Sequence, residues 1–105
     1  MPVYVKNKKT VLTKDGENVV GLFFEPFSYK DEPYIKIAVG DYETLEVKWG
    51  KDNALASILL TLAHEITHYY QWLNNIQITS SSRERQANRC AKYIIDEYSL
   101  TREHP

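Results

Sequence analysis

His64, Glu65 and His68 stand as His-Glu-x-x-His within a stretch, residues 52 to about 74, that holds neither glycine nor proline. Four residues advance an α-helix by about 6 Å and 40°, so the two imidazoles project from one side, a turn apart, within reach of a single zinc ion. The glutamate between them has a different part to play. In this spacing it reaches the zinc-bound water, whose pKa the cation lowers to about 7, takes its proton and passes it to a leaving amine. The chemistry expected is metal-assisted hydrolysis of a peptide bond.

A catalytic zinc takes three protein ligands and one water. His104 is the only other histidine and lies in the terminal stretch, whereas Glu84 stands sixteen residues beyond His68 in a second helical run, far enough to turn back. On that helix's wheel Glu84 falls within about 60° of Ala87, Ala91, Ile95 and Tyr98, which puts a carboxylate on the face expected to be buried, where it needs a cation. Asn88, one turn on, shares that side and could accept an N–H from a ligand histidine. An alternative for Glu84 is structural, because Ser81 and Glu84 have the spacing of a capping box. Asp96 and Glu97 lie three turns further along and are expected in solvent.

These groups need two helices and something to pack them on. Asp52 is a suitable N-cap for the first, and Leu55, Leu59, Leu62, Ile66, Tyr69 and Leu73 recur at alternating spacings of three and four, an apolar stripe expected to pack on a sheet. The histidines lie roughly 200° to 240° from Leu62 on the wheel and are expected to face away from that sheet. A second helix is expected from the Thr79-Ser80-Ser81-Ser82 cluster to about Tyr98. Ahead of residue 50 the chain changes character: residues 3–6, 9–13, 18–24, 34–39 and 44–49 read as strands, with turns at Lys14-Asp15-Gly16-Glu17 and Gly40-Asp41-Tyr42-Glu43. The fold class expected is α+β, a small antiparallel sheet packed on the active-site helix, with a second, C-terminal helix bearing the glutamate.

The 105 residues make one domain, strand-rich to residue 50, helical over 52–98, with a tail at 99–105. Hydrophobic residues at 43% supply a core, and a net charge of -1 lacks the basic excess that nucleic-acid binding requires. No run approaches the roughly 20 apolar residues of a membrane span. The single cysteine, Cys90, has no partner for an internal bridge and suits a reducing compartment; with no signal-peptide pattern at the amino terminus, cytoplasm is the expected address.

His64-Glu65-x-x-His68 followed by Glu84-Arg85-Gln86-Ala87-Asn88 resembles the gluzincin metallopeptidases, in which a second helix supplies a glutamate followed four residues later by Asp or Asn. The size is similar to the minimal members, the minigluzincins, and the resemblance covers residues 41–98. It implies a zinc metalloendopeptidase acting on peptides or proteins, with His64, His68 and Glu84 as zinc ligands, Glu65 as general base and acid, and Asn88 as partner of His64. It also implies an edge strand that binds substrate in extended form, matched to residues 42–49, and latency through the C-terminal tail. Peptidases of the ImmA type share a Glu-x-x-Ala-Asn pattern and are the nearest rival. Larger gluzincins carry a downstream Tyr or His for the oxyanion that this chain lacks; a non-catalytic zinc-binding or interaction domain is the competing class.

Overall fold

The computed structural model describes residues 1–101, with side chains through residue 97, so the side chain of Tyr98 and residues 102–105, including His104, lie outside the described residues, while residues 99–101, expected as tail, continue the last helix. The elements are β1 (Val3–Lys6), β2 (Val11–Leu12), β3 (Asn18–Val19), β4 (Gly21–Phe24), β5 (Tyr34–Ala38), α1 (Tyr42–Trp49), α2 (Lys51–Leu73) and α3 (Ser80–Thr101). This is an α+β fold. The first turn forms where glycine allows it: Gly16 adopts φ +83°, its N–H donates to Thr13 O at 3.0 Å, and Thr13 N–H donates to Glu17 O at 2.9 Å. β2 and β3 close a small antiparallel ribbon on this turn.

The other three strands form a sheet in the order β1-β5-β4. Its core strand is β5, whose Ile35 and Ile37 are buried. The sheet is mixed rather than wholly antiparallel: β4 pairs antiparallel to β5, but β1 runs parallel to it, Val3 opposite Ile35 and Lys6 opposite Ala38. The ribbon and β4 intervene in the chain between β1 and β5, which leaves β1 to approach β5 from the far side in the same direction.

Residues 44–49, expected as a strand, are helical. With β1 on one side of β5 and β4 on the other, the position a hairpin partner would occupy is taken. The chain turns instead into α1, where Leu45 N–H donates to Asp41 O and Leu45 lines a small cavity with Ile37 and Ile58. Gly50, at φ +89°, ends α1 through a bond from its N–H to Glu46 O, and α2 starts at the next residue. Asp52 falls in the first turn of α2 rather than at its cap.

Two faces of α2 are packed. Toward the sheet, Thr61 and Glu65 meet Gly21, and Tyr69 and Trp72 put their rings 5.9 and 6.2 Å from that of Phe23. Toward α3, Gln71 bonds to Arg83 and Gln86, and Ala63 and Thr67 are buried on the same i+4 row. Ala87 and Ala91 of α3 are also fully buried, small enough to let the helices approach closely. The leucine stripe does not cover the sheet as expected. Tyr69 reaches it, but Leu55, Ile66 and Leu73 are 36%, 41% and 52% exposed, on the side that neither the sheet nor α3 covers.

Candidate metal centre

Gly21 decides how closely α2 lies on β4. A Cβ there would stand 2.5 Å from Thr61 Cγ2 and 3.3 Å from Glu65 Cγ, so only glycine admits the helix at this distance. On a helix turning about 100° per residue, His64 and His68 are then about 60° to 100° round from the sheet-facing Glu65. The histidines therefore do not point directly away from the sheet. They open into a cleft of about 460 Å³ between the edge strand β4 and the first turns of α3.

Glu84 meets them from the opposite wall. Its Oε2 is 3.1 Å from His64 Nε2, its Oε1 is 3.0 Å from His68 Nε2, and the two Nε2 atoms are 3.2 Å apart. His64, His68 and Glu84 thus form a group whose ligand atoms all fall within 4.8 Å of one another. Ligands held tetrahedrally at zinc bond lengths stand about 3.3 Å apart; the two imidazole nitrogens have that separation, and each carboxylate oxygen stands at a similar distance from one of them, so the group is of a size to hold a small cation. Imidazole nitrogens and a carboxylate are also the donor types that such an ion takes.

The placement of Glu84 differs from the sequence expectation in burial. Its side chain is 58% exposed, because it stands on the rim of the cleft rather than under α3. The capping-box alternative is also removed. Thr79 caps α3, its hydroxyl accepting the Ser82 N–H at 3.1 Å, so Ser80 is the first helical residue and Glu84 the fifth, beyond the reach of a cap.

Glu65 is 8% exposed, packed against Gly21 beside the triad. Burial raises its carboxyl from the ordinary glutamate value to about 7; the charge of His68 opposes the rise and that of Glu84 adds to it. A carboxyl so placed exchanges its proton near neutral pH, the property a general base and acid needs.

Asn88 is not where the sequence reading put its contact. It is exposed and lines an adjoining apolar cavity with His64, and no hydrogen bond joins it to either histidine among the described residues. The residue that does contact a candidate ligand is Gln71, whose Oε1 lies 2.8 Å from His68 Nδ1. The signal for it was in the sequence: three residues beyond His68, it falls within about 60° of that histidine on the wheel. Asp96 is exposed and paired with Lys92 at 2.8 Å, and Glu97 is exposed, both as expected.

Comparison of the chain with protein-family models, with curated proteins and with solved structures found no match. What the site can do rests on its geometry. No helix among the described residues is long and apolar enough to cross a membrane.

Proposed function

We propose that this chain is a zinc-dependent peptidase of gluzincin-like design, acting on peptides or proteins. The observation that carries the reading is the conjunction at one cleft of three convergent donor groups and a buried carboxyl, Glu65, beside them. His64, His68 and Glu84 would hold the cation, which supplies Lewis acidity, lowering the pKa of water and polarising a carbonyl. Glu65 takes a proton from the attacking water and returns it to the amine that leaves, and its seat against Gly21 keeps the carboxylate beside the triad.

The edge implied for substrate moves from residues 42–49, which are helical, to β4. That strand is the last in its sheet, and its free edge borders the cleft, so an extended peptide can add to it as a further strand across the triad. Next to His64 and Glu65 an apolar cavity of about 770 Å³, walled by Val19, Val20, Leu60 and Ala91, offers room for a large apolar side chain. The cytoplasmic address expected from the lone Cys90 belongs to the same proposal, as does the choice of gluzincin over ImmA-type peptidase as nearest kin.

The competing reading, a non-catalytic zinc-binding domain, is favoured by one observation. Arg83 is the lysine or arginine that lines the cleft, and it is held by Glu25 at 3.0 Å instead of facing the triad as an oxyanion donor. Cleavage of a mixed peptide library by zinc-loaded protein, with and without chelator and beside Glu65→Ala, separates the two. Chelator-sensitive cleavage that falls 100-fold or more in the variant is expected, on the order of the contribution of a general base. Zinc-loaded protein that cleaves nothing, or Glu65→Ala that cleaves as well as the parent, returns the domain to metal binding alone.

A further inference from the structure

Gln71 is 1% exposed and lies where α2, α3 and the histidine ligands meet. Its amide orientation is settled by two groups that cannot exchange roles. The backbone carbonyl of Arg83 can only accept, and it lies 3.1 Å from Gln71 Nε2; the guanidinium Nε of Arg83 can only donate, and it lies 3.4 Å from Gln71 Oε1. The second Nε2 hydrogen goes to Gln86 Oε1 at 2.7 Å. With the nitrogen so committed, the oxygen is the atom that faces His68 Nδ1, and a carbonyl oxygen at 2.8 Å requires the proton to be on that nitrogen.

We propose that Gln71 is the positioning residue of this centre: it fixes His68 as the Nδ1–H tautomer, turning a bare Nε2 toward the metal, and holds α3 in the register that brings up Glu84. The assignment rests on the reading of His64, His68 and Glu84 as a metal site. A neutral imidazole has one proton, so a hold on Nδ1 leaves the Nε2 lone pair free without any loss of a proton on metal binding. The same amide anchors the carbonyl of Arg83, the residue just before Glu84, so one buried side chain orients a ligand from each helix. His64 has no such partner on its Nδ1 among the described residues, which makes the two histidines unequal.

The test begins with metal-free Glu84→Ala protein, because in the parent the Glu84 carboxylate, 3.0 Å from His68 Nε2, competes with Gln71 for the one imidazole proton. Long-range proton–nitrogen correlation spectra, at a pH where both imidazoles are neutral, should show His68 almost wholly as the Nδ1–H tautomer and His64 as a mixture. A predominantly Nε2–H form of His68 overturns the proposal and leaves the metal reading intact. Zinc affinity, measured by competition with a chromophoric chelator, should fall about 10- to 100-fold in Gln71→Met, as removal of a ligand's outer hydrogen-bond partner does, and adding Gln71→Met to Glu84→Ala should turn His68 into a tautomer mixture. Gln86→Leu removes a partner from the same amide without touching the oxygen; it should lower Tm and leave zinc affinity within about threefold. Equal losses of affinity in Gln71→Met and Gln86→Leu, or an unchanged affinity in Gln71→Met, would mean that Gln71 is packing only. A parent that binds no zinc defeats the metal reading instead, and the tautomer of His68 in Glu84→Ala still reports on Gln71.

Discussion

The two sides of α2 reverse the usual relation between polarity and burial. On the side between the sheet and α3 the buried residues include Glu65, Thr67 and Gln71, whereas on the opposite side Leu55, Ile66 and Leu73 meet solvent. A helix that only stabilised a core would be turned the other way, its leucines inward. The difference teaches that α2 is oriented by what the cleft needs. Each inward polar group has a specific partner: Thr67 bonds its own helix at Ala63 O, Gln71 makes four side-chain bonds to His68, Arg83 and Gln86, and Glu65 sits against Gly21 with a raised pKa.

The largest effect should come from the polar side. Glu84→Ala removes a donor from the triad and should weaken zinc binding more than about 100-fold, above what loss of an outer partner costs, while Tm of the metal-free protein changes little because Glu84 is on the rim. Unchanged affinity by chelator competition would strike Glu84 from the ligand set. Next in size, Gly21→Ala brings a methyl into Thr61 Cγ2 and should cost about 1–3 kcal/mol by thermal or urea unfolding, of which Gly21→Ala/Thr61→Ser should recover most. If the pair is no more stable than the single variant, the close approach of β4 and α2 is not what Gly21 provides. The smallest change belongs to the outer side. Leu73→Ser should alter stability by less than about 0.5 kcal/mol; a loss of 2 kcal/mol or more would show the leucine side to be packed against something, and would erase the contrast between the faces.

The site was more legible in the sequence than its supports. His-Glu-x-x-His fixes the relation of two candidate ligands and a candidate base within one helix, and the distance to Glu84 allows a single turn back, so the local rules suffice to bring all four to one cleft. The orientation of α2 was not legible from its leucines, because spacings of three and four report that residues share a side without reporting which side is covered. Thr61, Glu65, Tyr69 and Trp72 recur at the same spacings and face the sheet, but two of them are polar and the pattern passes them over. Residues 44–49 alternate like a strand over a length where a short helix reads equally well, and only the occupied flanks of β5 decide between them. Gln71 lay within reach of the wheel argument that found the histidines. Asn88 was placed on the side of Glu84 by the wheel and named as the partner of His64 by the resemblance, but sharing a side of α3 carries no information about a bond.

The triad draws two of its donors from α2 and one from α3, with the turn through Asn74 and Asn75 between them. A cation gripped from both helices therefore closes a loop of sixteen residues, His68 to Glu84, in a chain whose one cysteine leaves it without an internal disulfide. A cross-link across a loop of that length removes about 3 kcal/mol of entropy from the unfolded chain when it is covalent, and a tightly held ion acts in the same sense for as long as it stays. On that footing a bound ion would be a removable clasp: the concentration of free metal around the protein would set how firmly the carboxy-terminal helix is fastened to the rest.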